Sequence, residues 1–188
     1  MTLEAWSAIA QIGTFVVIAA TAIAALIQLR HVRAANDMTT SNMFIQEFEG
    51  PDLREAFAFV RTQLDEKLKD PAFRRELREG QVDRAKHPEI AVCNFFDQWG
   101  GYYRHGAINR TQFMRHNAGV VTRFWRRLEP VVALLVGPDG VNTAFEQFEY
   151  LIVQAQDWLA KHPSGDYPAG VRRIPLTDPW AAEDSRVP

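Results

Sequence analysis

Residues 5–29 read AWSAIAQIGTFVVIAATAIAALIQL, 25 consecutive residues without a formal charge. As a helix this stretch covers roughly 37 Å, enough to cross a hydrocarbon core of about 30 Å with some tilt. The residues ahead of it, Met1 to Glu4, carry an acid where a secretory signal needs Lys or Arg. The apolar run is also longer than a usual signal core, so an uncleaved single-pass anchor is expected. Arg30 and Arg33, with His31 between them, follow the span, while Glu4 precedes it. The positive-inside tendency then predicts an inner-membrane protein with its N-terminus outside and its C-terminal domain cytoplasmic.

Inside the span the polar residues fall on one stripe. Ser7, Thr14, Thr21 and Gln28 recur every seven positions, and Gln11, Ile18 and Ala25 each follow four residues after the first three. Hydrogen-bonding side chains on a single face of a membrane helix favour a facing helix or water, and Gly13, Ala20 and Ala24 allow close backbone approach. Serine and threonine also bond back to their own turn in a solitary anchor. The expectation is self-association through Ser7, Gln11, Thr14, Thr21 and Gln28, giving a homo-oligomer. A water-lined pore would use the same stripe and stays open as an alternative.

Working outward, the whole chain has 188 residues, 47% apolar and 23% charged, with a net charge of −2. That balance fits one ordinary domain behind the anchor and excludes disorder, a disulfide-built fold and a broadly basic nucleic-acid coat. The single cysteine, Cys93, cannot form an internal bridge. The first helix is expected to run on as a stalk until Gly50 and Pro51 stop it. A second helix follows with Leu53, Phe57, Val60, Leu64 and Leu68 on one face, and a short third one opens at Asp70–Pro71 and closes at Gly80. The fourth starts near Pro88 and carries Val92, Phe95, Phe96, Trp99, Tyr102 and Tyr103, an aromatic row read as core. Asn109 and Gln112 have capping-box spacing for a fifth helix, which Pro130 should kink or restart. A sixth is expected from about Val141 to Lys161. The reading is all-α: an anchor at 1–33, a cytoplasmic bundle of about five helices at 34–161, and an irregular proline-rich tail at 162–188. Ile174, Leu176 and Trp180 are the tail residues able to dock on the body or a partner.

Between Asp97 and Glu129 the chain holds Arg104, Arg110, Arg115, Arg123, Arg126 and Arg127 and no acid. On the fifth helix Arg115, His116, Arg123, Arg126 and Arg127 lie opposite the aromatics, so Arg115, Arg123, Arg126 and Arg127 are candidates for lipid headgroups or phosphate. Anionic lipid is favoured over RNA, because no aromatics interleave to stack bases. A solvated face paired with acidic helices is the ordinary alternative. Cys93 reads as a small buried hydrophobe. No metal-ligand spacing, phosphate loop or nucleophile elbow is present, so no metal or cofactor is expected and catalysis is not the leading expectation.

Three resemblances bear on function. Arg110 and His116 resemble the R-x(4-6)-H signature of the HEPN ribonucleases, which implies phosphate binding by the arginine and proton transfer by the histidine. The block EIAVCNFFDQWGGYYRHGAINRTQFMRHNAGVVTRFWRRLEPVV, residues 89–132, resembles a bacterial domain-of-unknown-function family, number 4760. Asn94, Phe95 and Phe96, the Arg104–Gly106 end, the Ile108–Asn109 restart and Trp125 carry that likeness. It implies a membrane-anchored helical bundle and supplies no active site. More distantly, the layout is similar to pore-forming membrane accessory proteins of RNA-guided defence systems. The functional expectation is a non-enzymatic membrane effector or scaffold, with an RNA-binding or RNA-cleaving accessory protein as the alternative.

Overall fold

The computed structural model describes residues 3–80, 82–137 and 143–180, and side chains at 3–5, 7–10, 33, 34 and 37 fall outside its description. The described residues form seven helices and no strand: α1 (Leu3–Phe48), α2 (Pro51–Thr62), α3 (Leu64–Lys67), α4 (Pro71–Glu79), α5 (Glu89–Arg104), α6 (Arg110–Val136) and α7 (Glu146–Lys161). The expected N-terminal helix, its stalk and the all-α body are therefore present. Within the 46 residues of α1, the segment Gln11–Val32 is long and apolar enough to cross a membrane, and none of it is buried against the rest of the chain.

Helix ends follow the sequence closely where local chemistry sets them. Gly50 is extended (φ −57°, ψ 146°), as the residue before a proline prefers, and Pro51 opens α2. Asp70 accepts the Ala72 N–H at 2.8 Å, and Gly80, at φ 70°, closes α4 in the left-handed conformation. Asn109 Oδ1 accepts the Gln112 N–H at 3.1 Å at the start of α6. That helix runs through Pro130 to Val136 without restarting.

Two expectations need correction. The second helix does not reach Leu68 unbroken, because Gln63 (φ −125°, ψ −28°) separates α2 from α3. There Arg127 Nη1 donates to the carbonyls of Val60 (3.3 Å) and Arg61, oxygens the ending helix leaves without partners. The last helix begins at Glu146 rather than Val141, which lies outside the described residues. Phe145 holds a left-handed conformation at φ 65°, and Asp97 of α5 accepts the N–H groups of Gln147 (3.0 Å) and Phe148 (3.1 Å). A carboxylate from another helix thus caps α7, matching its charge to the positive end of the helix dipole.

The core is aromatic. Phe57, Phe95, Phe96, Trp99, Phe124 and Phe148 are buried, with Phe96 stacked on Phe148 at 4.9 Å between centroids, while Tyr102 stays exposed. Phe44, from the end of α1, enters the same cluster, with its ring 4.9 Å from Trp99 and 5.3 Å from both Phe95 and Phe113. Trp99 Nε1 donates to Glu47 Oε2 at 2.9 Å, a second fastening of α1 to the body. The irregular tail from His162 is held near its start by an Arg115–Asp166 ion pair. Ile174, Leu176 and Trp180 are exposed, so these described tail residues are undocked on the body.

α5 and α7 make the most extensive helix pair, and Gly100 permits it. A Cβ built there would lie 2.1 Å from the Gln147 carbonyl oxygen, whereas one on Gly101 meets nothing within 4 Å. Gly100→Ala should therefore cost about 2–3 kcal/mol or more by overpacking. Gly101→Ala should be neutral or stabilise by up to about 1 kcal/mol. Urea unfolding of the two variants in detergent checks this, and equal stabilities would refute the close approach.

Candidate functional site

The heptad stripe on α1 turns away from the body as the helix approaches it. Thr40, Ser41, Phe44, Glu47 and Phe48 share the face turned to α5 and α6. Seven-residue steps from Thr14 lead through Thr21 and Gln28 to Ala35 and Asn42, each step drifting about 20° around an ideal helix. By Asn42 the stripe has reached the side away from the body, where Met38 and Ile45 are 69% and 51% exposed. From residue 34 to residue 46, Asp37 is the one charged residue. Gln11, Thr14 and Gln28 are exposed, and Thr21 Oγ1 donates to the Val17 carbonyl at 2.7 Å. The Ser7 side chain lies outside the described residues.

The arginines of α5 and α6 divide into two groups. Arg110 Nε donates to the Tyr103 carbonyl at 2.9 Å and Nη2 to the Arg104 carbonyl at 2.6 Å, so its guanidinium caps the end of α5 and lies 5.6 Å from the Tyr103 ring centre. Arg127 closes α2, and Arg115 pairs with Asp166. Arg104 reaches Gln147 Oε1 at 3.4 Å and lies over Tyr150. Arg123 and Arg126 remain exposed and have no hydrogen bond or ion pair among the described residues. The strip anticipated from spacing is thus, for Arg115 and Arg127, a set of internal fasteners. Its open part is Arg123 with Arg126.

His116 points elsewhere than Arg110. It lines a cleft of about 240 Å³ between α1 and α6, walled by Phe44, Phe48, Trp99, Ile108 and Phe113 with Thr40, Gln112 and Asn117 among its polar groups. The two residues of the HEPN-like spacing therefore have different neighbours, one turned back to α5 and the other beneath the stalk.

Spacing gave no sign of a buried ionisable group at the start of α5. His87 and Glu89 are both fully buried, and His87 Nδ1 lies 2.8 Å from Glu89 Oε1. On the other side of the ring, Nε2 lies 3.1 Å from Glu76 Oε2 of α4, and Phe73 covers the ring at 4.3 Å. Glu89 Oε2 is buried without a hydrogen-bond partner. Burial raises the Glu89 carboxyl above the ordinary range, opposed by its hydrogen bond to His87. Burial also pushes the Cys93 thiol well up, helped by Glu89 and Asp97, which keeps it protonated and unreactive. The signal that could have shown this site is the pair His87 and Glu89 around a helix-opening Pro88, with Glu76 eleven residues upstream across a turn. No group of three His, Cys, Asp or Glu residues among those described is arranged to hold a metal ion.

Arg110→Ala leaves two helix-end carbonyls without their charged donor and should cost about 1–2 kcal/mol, discounted for its partial exposure. His116→Ala, at an exposed position, should change stability by less than about 0.5 kcal/mol. Thermal unfolding of both variants provides the check, and a neutral Arg110→Ala would remove its capping role.

Residues 15–155, well over half of the chain, match the model of a family described as Domain of unknown function (DUF4760). No curated protein and no solved structure matches the chain. The match takes in most of the membrane-length segment, the stalk, the aromatic core and α7, so the chain belongs to the DUF4760 family.

Proposed function

We propose that this protein is a non-enzymatic, membrane-anchored effector or scaffold that self-associates through α1. It sits in the inner membrane with the N-terminus outside and the helical body in the cytoplasm, an orientation supported by Glu4 before the span and Arg30 and Arg33 after it. The observation that carries the reading is the position of the body. It occupies one face of the stalk, and the heptad stripe from Thr14 to Asn42 emerges on the other, uncovered and almost uncharged. Two copies can meet along this stripe without moving the body. A persistent seven-residue period also suits a left-handed supercoil. The competing ribonuclease reading needs Arg110 for phosphate, and that guanidinium already serves two carbonyls.

The protein should stay in the membrane pellet after carbonate washing and cross-link as a homo-oligomer in native membranes. Thr14→Leu and Thr21→Leu retain the apolar span. Each should weaken association roughly threefold, since an interhelical hydrogen bond in a membrane contributes about 0.6 kcal/mol. Unchanged cross-linking in the double variant would refute the seam.

Arg123 and Arg126 supply the lipid contact in this reading, at about 1 kcal/mol each beside an anionic leaflet. In nanodiscs, the α6 segment around them should exchange amide hydrogens more slowly with anionic than with neutral lipid. The difference should vanish near about 0.5 M salt, where the Debye length is roughly 4 Å. Equal exchange in both lipids at low salt would assign these arginines to solvent alone.

A further inference from the structure

Glu76, His87 and Glu89 come from α4, the segment after it and α5, and their side chains form one chain of hydrogen bonds. A neutral imidazole has one N–H, and a charged one has two. Both ring nitrogens here face a carboxylate oxygen, at 2.8 Å and 3.1 Å. Satisfying both contacts takes one proton beyond a neutral imidazole and two carboxylates. It resides on the ring as imidazolium, or on Glu89 as a carboxylic acid donating to Nδ1. Either way the three groups carry a net charge of −1. Losing that proton raises the charge to −2 and sets a nitrogen lone pair against a carboxylate, beside an oxygen, Glu89 Oε2, that already has no partner.

We propose that Glu76, His87 and Glu89 form a proton-operated latch that holds α4 and the segment leading into α5 on the body while the shared proton is present and loosens them when it is lost. The proton has a route, because the Glu76 side chain is 42% exposed and lines a surface cleft. The other charged groups at that cleft are Lys67, Asp70 and Lys86, which sharpen or soften the transition without replacing the buried pair. From α2 and the break after it the cleft receives Phe59 and Gln63, neither of which titrates. α6 meets α4 through Pro130, Ala133 and Leu134, on the side of Arg74 and Arg78, and Arg74 is bonded to the Leu68 and Lys69 carbonyls. On α5, Cys93 remains a thiol and Asp97 is engaged at the start of α7.

The direction of the response follows from Glu89. Burial raises its carboxyl in the folded protein, so the folded state holds a proton that the unfolded chain has already released. The latch is complete below the ordinary carboxyl range and is lost as pH rises through the folded value. Alkalinisation should therefore loosen α4 before it unfolds the aromatic core, because local openings cost less than global ones.

The test is hydrogen exchange of the full chain in nanodiscs, read on α4 peptides between about pH 5 and about pH 9 and corrected for intrinsic exchange rates. Protection of Pro71–Glu79 should fall at least about tenfold, which is about 1.4 kcal/mol in the local opening equilibrium. Glu89→Gln should remove the step and leave α4 protected at both ends of the range. Glu76→Gln, at a solvent-reached position, should keep the fold and shift the midpoint to lower pH, since one carboxylate no longer attracts the proton. A wild-type α4 with constant protection, or a Glu89→Gln variant that keeps the step, would overturn the latch. Should Glu89→Gln fail to fold, an unmoved midpoint in Glu76→Gln overturns it equally.

Discussion

Phe44 is the point on which the architecture depends. It lies in the last turn but one of α1, a helix that extends from the body for more than 30 residues, and it sits among Phe48, Phe95, Trp99 and Phe113. Burying one phenylalanine contributes about 1.5–3 kcal/mol, and each well-oriented ring pair adds about 0.5–1.5 kcal/mol. The Trp99–Glu47 hydrogen bond supports it from the next turn. Without this docking, α1 would be joined to the body only through the turn at Gly50. With it, the direction in which α1 leaves the body is set by its packing on α5 and α6.

The body secures its helix ends with side chains borrowed from other helices. Asp97 of α5 caps α7, Arg110 of α6 closes α5, and Arg127 of α6 closes α2. Each satisfies backbone groups that a short helix leaves unpaired, and each joins two elements that are distant or oppositely directed in the chain. The same arrangement explains why a basic block can exist in an acidic protein without forming one open surface. Arg110 and Arg127 direct their charge at carbonyl oxygens, which helix termini present as a partial negative end, and Arg115 is paired with Asp166.

These borrowed caps also separate what the sequence discloses from what it conceals. The stop at Gly50–Pro51, the Asp70 cap, the left-handed Gly80 and the aromatic row of α5 are local facts, written in adjacent residues or in a 3.6-residue period. The break at Gln63, the late start of α7 and the role of Arg127 depend on residues 50 to 67 positions away, and one sequence carries no mark of such pairing. Periodicity placed the arginines on a face, and the packing of α2 against α6 then decided which of them met solvent. His87 escaped for a related reason: its partners lie two and eleven residues away, in a turn where no helical spacing applies. The polar stripe of α1 is legible because a heptad spacing persists in a continuous helix, although the side of α1 that the body occupies was not written there.

That geometric separation has a consequence for how such a protein can work. A scaffold whose body covered its own association stripe would have to open before it could assemble. In the proposed scaffold the body and the uncovered stripe meet different faces of α1 in the stalk, so assembly along α1 would not require rearrangement at α4. α4 packs chiefly on α6, and none of its residues belongs to the ring cluster around Phe44. Loosening α4 would therefore alter the cytoplasmic surface of an assembled oligomer while leaving the helix that holds it together in place.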